Sequence, residues 1–161
     1  MVAQVVILMG SQSDLDHVNQ IAAGLDALGV AHVERVASAH KSVRHLLTIL
    51  DSYAAAEGPV VFIGVAGRSN ALAGILDANT VWPVITCPPV SSAFGGADIY
   101  SSLRMPGGVA PMVVLEPANA ALAAAKILAV TDHSLQQRIA AYQARMTDGI
   151  VSADESVRSE Q

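Results

Sequence analysis

Charge is scarce in this chain. Only 14% of its residues are Asp, Glu, Lys or Arg, against roughly 25% in an average soluble domain. A single copy with so little charge struggles to cover itself with polar groups, so part of its alanine-rich exterior is expected to be buried in a homo-oligomer. Basic clusters are absent and the net charge is −5, which argues against nucleic acid or an anionic membrane as partner. No apolar run approaches the roughly 20 residues that cross a bilayer, and the first residues lack a basic region followed by a cleavage site. The protein is expected to be soluble and cytoplasmic. The one cysteine, Cys87, cannot form an internal disulfide, and with no cysteine–histidine spacing around it no metal site is expected. It reads as a buried small hydrophobe, with a reactive thiol as the minority reading. Neither G-x-G-x-x-G nor G-x-x-x-x-G-K-[ST] occurs, so the dinucleotide fingerprint and the nucleoside triphosphate loop are both missing.

What is present is a strongly apolar chain of 161 residues, 52% hydrophobic. That length fits one domain with a substantial core: a core over about residues 2–130, a C-terminal helix over about 133–147, and a serine- and acid-rich tail, 148–161, that frays or packs on a neighbouring subunit. Near the start, Val5 to Met9 is an unbroken apolar run that ends in Gly10-Ser11-Gln12-Ser13-Asp14. Leu15, Val18, Ile21, Ala22, Leu25 and Leu28 then recur at helical spacing before the stop at Gly29. This is a buried strand feeding a helix. Its turn offers unpaired backbone N–H groups and two hydroxyls at the positive end of the helix dipole, a place that suits an anion, most simply a monophosphate. The plainer reading is that Gly10 makes a tight turn and Ser13 caps the helix.

Further along, residues 30–36 read as a second strand, followed by Ser38-Ala39-His40-Lys41. A helix capped by Ser42 follows, with Val43, Leu46, Leu47, Leu50 and Tyr53 on its buried face and Gly58-Pro59 as its end. A third strand spans 60–65, apolar throughout as in a sheet covered on both faces, and stops at Ala66-Gly67-Arg68-Ser69-Asn70. A short helix over 71–76, a strand over 84–87, a loop over 91–98, a helical turn over 99–105, a strand over 112–115 and an alanine-rich helix over 119–130 complete the pattern. Ala120, Ala121, Ala123, Ala124 and Ala125 would let another helix approach closely.

Five strands alternating with helices predict an α/β fold, a parallel sheet with helices on both faces in the order 2-1-3-4-5. The chain then reverses direction between strands one and three, and ligands sit outside the strand ends at such a switch point. Three polar loops meet there: 10–14, 38–41 and 66–70. Within them Asp14 either caps its own helix or accepts hydrogen bonds from ribose hydroxyls. Lys41 and Arg68 either neutralise phosphate or carboxylate or are simply solvated. Of the five histidines, His40 alone occupies such a loop. The cation beside it in sequence favours a neutral imidazole, fit to take up and return a proton; the plainer reading is a loop histidine that merely bonds backbone.

Together, Met9-Gly10-Ser11-Gln12-Ser13-Asp14, Ser38-Ala39-His40-Lys41, Ala66-Gly67-Arg68-Ser69-Asn70-Ala71-Leu72, Cys87-Pro88-Pro89 and the segment Asp98-Ile99-Tyr100-Ser101-Ser102-Leu103-Arg104-Met105-Pro106 resemble the phosphoribosylaminoimidazole carboxylase family of purine biosynthesis. The resemblance runs from about Val5 to Leu128. Mutases of this family, which act on an N-carboxylated aminoimidazole ribonucleotide, carry Gly-Gly-x-Ala-His-Leu-Pro-Gly after strand three. Here the segment from Ala66 to Gly74 has no histidine, and a lysine follows His40 where the mutases have arginine. Both features resemble the second class, which carboxylates aminoimidazole ribonucleotide directly with carbon dioxide, a carbon–carbon lyase working without ATP or metal.

The resemblance further implies a flavodoxin-like three-layer domain, a tetramer or octamer with the C-terminal helix across a subunit boundary, and no cofactor. His40 is implied as the catalytic acid/base. Ser69 is implied to supply a hydroxyl where the mutases place histidine. Ser11, Ser13 and Lys41 would hold the phosphate and Asp14 the ribose, while Gly67 and Arg68 line the base and carboxylate side; Gly10 and Ser38 complete the substrate-binding set. Two other functions fit such a fold. A flavin-binding carrier is disfavoured by the 4% aromatic content, and a phosphoacceptor domain by Val65-Ala66-Gly67 where that mechanism needs an aspartate.

Overall fold

The computed structural model describes residues 3–160, so residue 2 of the expected core and residue 161 of the expected tail lie outside the described residues. The chain runs β1 (Gln4–Met9), α1 (Leu15–Ala27), β2 (Ala31–Val36), α2 (Val43–Asp51), β3 (Val60–Val65), α3 (Leu72–Ala78), β4 (Val84–Thr86), α4 (Tyr100–Leu103), β5 (Met112–Val113), α5 (Pro117–Leu128) and α6 (His133–Ser159). The strands pair in parallel in the order β2-β1-β3-β4-β5, which is the expected topology.

Strand side chains alternate between the two faces of the sheet, and each face has its own core. Val5, Ile7 and Met9 of β1, with Val61, Ile63 and Val65 of β3, pack under α1, α5 and the start of α6. Val6, Leu8 and Phe62 point the other way, against Leu46, Ile49 and Leu50 of α2 and Leu72 and Leu76 of α3. Burying side chains of this size stabilises the fold by about 1.5–3 kcal/mol each. On the first face, α1 and α5 approach closely because their contact surfaces are small: Ala120, Ala121, Ala124 and Ala125 are fully buried, and a methyl added at Gly24 would lie only 2.7 Å from Ala121 Cβ. The alanine pattern of α5 announced a close helix contact; Gly24, its partner in α1, gave no signal of its own.

The register positions the site. Met9 pairs with Val36 on one side and with Val65 on the other, so β1, β2 and β3 end level and their following loops leave the sheet side by side.

Several expected details differ. Val43 lies exposed at the start of α2 while Ile49 is buried, a rotation of the apolar face by less than one turn. That helix ends at Asp51, well before Gly58-Pro59. Ser42 occupies the N-cap position with no side-chain bond to the helix; its hydroxyl instead accepts from Ser38 N–H at 2.9 Å. Helix α5 begins at Pro117, whose fixed φ and missing N–H suit the first helical position. The segment 93–99 contains left-handed Phe94, Gly95 and Gly96 rather than a regular helix. The largest departure is at the end of the chain: α6 continues through Ser159. Its first half is anchored by buried Leu135 and Ile139, by the Asp132 cap on Leu135 N–H at 3.0 Å, and by Arg138 Nε donating to Leu28 O at 2.8 Å. The tail stays helical because it has no proline and carries supporting pairs such as Asp154–Arg158, 3.9 Å apart.

Candidate active site

Apolar strands that end level and give way to polar loops leave a cleft at the C-terminal edge of β1, β2 and β3. Its volume is about 820 Å³, and its walls include all ten residues singled out from the sequence: Gly10, Ser11, Ser13 and Asp14 from the first loop, Ser38, His40 and Lys41 from the second, and Gly67, Arg68 and Ser69 from the third. Three segments far apart in sequence thus converge at the predicted switch point.

In the first loop the chain makes a short 3-10 turn before α1. Ser11 Oγ accepts from Ser13 N–H at 3.3 Å and from the Ser13 hydroxyl at 3.0 Å, while Asp14 N–H donates to Ser11 O at 3.0 Å. Two amides expected to await an anion are therefore satisfied inside the turn, and what the loop offers the cleft is its hydroxyl pair. Ser13 does not cap α1; Ser11 caps the 3-10 turn. Nor does Gly10 adopt a glycine-only conformation; its N–H donates to Val65 O at 2.9 Å, tying the first loop to the third. Asp14 stands at the N-cap position of α1 with no side-chain capping bond, which removes the capping alternative. Burial raises its carboxyl pKa, against the pull of His17, the Ser11 backbone and Arg68. A half-buried carboxylate that lines the cleft is a ready partner for hydroxyl donors.

In the second loop, Ser38 is held by Ser42 through its N–H, and its own Oγ accepts from Lys41 N–H at 3.2 Å. The turn presents His40 and Lys41 as exposed side chains at the rim. His40 is the one histidine lining the cleft. In the third loop, Arg68 has φ +57°, in the left-handed region, and Gly67 lies beside Pro89, where an added methyl would meet Pro89 Cγ at 3.5 Å. The Pro89-Val90-Ser91-Ser92 segment closes the cleft on that side. In the sequence Pro89 stands out only within the Cys87-Pro88-Pro89 motif of the family resemblance, not as a wall of the cleft. A smaller, mainly apolar cavity of about 210 Å³ adjoins the cleft behind Pro89 and Val90, bounded by Ile99 and Leu115.

Cys87 is fully buried. Desolvation, followed by the charge of Glu116, pushes its thiol up to about 12, so the reactive-thiol reading fails. Among the described residues no group of three or more His, Cys, Asp or Glu is placed to hold a metal, and no helix is long and apolar enough to cross a membrane.

A family model described as AIR carboxylase matches residues 4–149. The chain is 52% identical over 153 residues to the phosphoribosylaminoimidazole carboxylase of Archaeoglobus fulgidus, a match covering 95% of this chain and 84% of that protein. It is 44% identical over 154 residues to the protein of the same name from Treponema denticola, covering 96% and 97% of the two chains. The crystal structure of Treponema denticola PurE superposes with a TM-score of 0.94 at 43% identity, over 96% of this chain and 98% of that one. A family match running from β1 into α6, joined to relatives of this identity and coverage, makes the chain a member of the AIR carboxylase family.

Proposed function

We propose that the protein carboxylates 5-aminoimidazole ribonucleotide with carbon dioxide, giving the 4-carboxy product in purine biosynthesis. The observation that carries this reading is the single cleft uniting a hydroxyl pair, a half-buried carboxylate, a cation and one histidine. Ser11, Ser13 and Lys41 take the phosphate, Asp14 the ribose hydroxyls, and Gly67, Arg68 and Ser69 the base and the new carboxylate, with Gly10 and Ser38 shaping the floor.

The chemistry asks little of a cofactor. The imidazole carbon is enamine-like, and its electron pair attacks carbon dioxide, forming the C–C bond as one C=O π pair moves onto oxygen. The proton on that carbon must then leave to restore aromaticity, and His40 accepts it; in the reverse direction His40 returns it. Holding the two reactants together away from bulk water supplies most of the acceleration. The adjoining apolar cavity is consistent with a dry place for the gas.

The mutase is the competing reading. Against it stands the segment from Ala66 to Gly74, which has no histidine, and Lys41 after His40. Flavin binding lacks support, since no aromatic ring lines the cleft. Purified protein given aminoimidazole ribonucleotide should form product at a rate that rises with bicarbonate. Turnover of the N-carboxylated isomer alone would overturn the carboxylase assignment. We also infer a homo-oligomer, supported by the exposed apolar side chains Val90, Phe94, Tyr100 and Ile150.

A further inference from the structure

Among the described residues only three polar side chains are buried: Asn70, Thr86 and Ser102. All three belong to one network, and it sits directly behind the third loop. The Asn70 side-chain amide donates to Thr86 Oγ1 at 2.8 Å and to Ser102 Oγ at 2.9 Å, and its oxygen accepts from Ala73 N–H at 3.4 Å. Both N–H groups and the oxygen of that amide are engaged, which also fixes its orientation. Next to it, Ser101 Oγ accepts from Asn70 N–H at 3.0 Å, and its single proton is shared between Arg68 O and Asp98 O, each 2.8 Å away. Thr86 ends β4, and Ser101 and Ser102 lie in α4, so the third loop is clamped to two other elements.

Buried polar groups are costly unless fully paired, and fully paired they rigidify what they hold. What this network holds is Arg68, a non-glycine residue at φ +57°. Such a conformation costs on the order of 1 kcal/mol or more and persists only where the surroundings over-determine it. Arg68 and its neighbour Ser69 face the cleft, whereas Asn70, Ser101 and Thr86 do not line it.

We propose that Asn70 and Ser101 are positioning residues for carboxylation: acting through the Arg68 carbonyl and the Asn70 amide, they lock the left-handed turn that aims the Arg68-Ser69 segment at the reacting carbon. The proposal rests on the carboxylase reading of the cleft. It identifies the role of two residues that touch no substrate, and it explains why a chain so poor in polar core groups places all of them here.

Ser101 is exposed, so a substitution there opens no cavity in the core, and Ser101→Thr keeps the hydroxyl that Ser101→Ala removes. In steady-state carboxylation, Ser101→Ala should lower kcat by roughly 10- to 100-fold, the scale of a small misplacement near the reacting atoms. The KM for the nucleotide should change by less than about 3-fold, because phosphate and ribose are held by the other two loops. Ser101→Thr should restore kcat to within about 3-fold. As a readout independent of turnover, trypsin should cut after Arg68 faster in Ser101→Ala than in wild type, and Ser101→Thr should restore protection. Wild-type kcat in Ser101→Ala would overturn the positioning role while leaving the carboxylase reading intact. A wild-type protein that never turns over aminoimidazole ribonucleotide would overturn the carboxylase reading and, with it, the catalytic part of the role. Unchanged trypsin cleavage would overturn the clamp itself.

Discussion

His17 Nε2 lies 3.3 Å from Cys87 Sγ, a contact that joins the first turns of α1 to the end of β4 beneath the cleft. Cys87 Sγ also lies 3.5 Å from Leu115 O, so the thiol proton has a carbonyl to bond. Burial lowers the pKa of His17, which favours the neutral ring. With the thiol pushed up to about 12, only about one part in 10⁴ is thiolate at pH 8. Native protein should therefore react with a disulfide reagent far more slowly than protein unfolded in urea, in which Cys87 returns to ordinary reactivity. Equal rates in the two states would show that the thiol is not buried as described.

Asp14 should trade stability for binding. Burial raises its carboxyl pKa above the ordinary 3.8, so on rising pH the unfolded chain ionises this group first and ionisation favours unfolding. The penalty is absent below about 3.8, grows as the pH passes through the raised folded value, and is constant above it. Asp14→Asn should accordingly raise the Tm at pH 7, and the gain should vanish as the pH falls towards the unfolded value. The same variant should bind nucleotide more weakly. A lower Tm at pH 7 would contradict this linkage.

The topology was legible because periodicity and turn chemistry agreed along much of the chain: the runs of β1, β3 and β4 are followed closely by Gly10, Gly67 and Pro88, and alternation of strands and helices left one sheet order. The cleft followed, since ending β1, β2 and β3 level forces their three loops together. Other features lay beyond a linear reading. Gly24 matters only because Ala121 faces it across two helices. Asn70 and Ser101 are 31 positions apart and look like ordinary loop and helix polar residues until the fold brings them into contact. The last turns of α6, beyond about residue 147, have the serine- and acid-rich composition of a tail. Met146, Ile150, Ala153 and Val157 nevertheless recur there at helical spacing, all exposed.

The hydroxyl pair and Lys41 should act in binding. Ser13→Ala combined with Lys41→Ala removes a hydroxyl donor and a cation from one phosphate, each a charge-assisted contact. The KM for aminoimidazole ribonucleotide should rise by roughly 10- to 100-fold with kcat within about 3-fold of wild type, the pattern of lost uniform binding. An unchanged KM moves the phosphate to another part of the cleft.

His40 should act in chemistry. His40→Asn keeps a polar side chain of similar reach at the rim and removes the proton acceptor, so kcat should fall by about 10²- to 10⁴-fold. Nucleotide affinity, measured by direct titration, should be largely retained. Turnover near wild type would remove His40 from proton transfer.

Helix α6 should build the assembly. From Met146 onward it touches no core of its own chain, yet Met146, Ile150 and Val157 stay 57%, 74% and 58% exposed on one stripe. Isolated exposed apolar residues are ordinary, but a stripe at spacings of three and four is the seam of a packed helix. Light scattering should give a mass several times that of one chain. Ile150→Asp with Val157→Asp should shift that mass downward without unfolding the sheet, since neither side chain reaches its core. A monomer in the wild type at micromolar concentration would eliminate the assembly, and an unshifted mass in the variant would place the contact on Val90, Phe94 and Tyr100 instead.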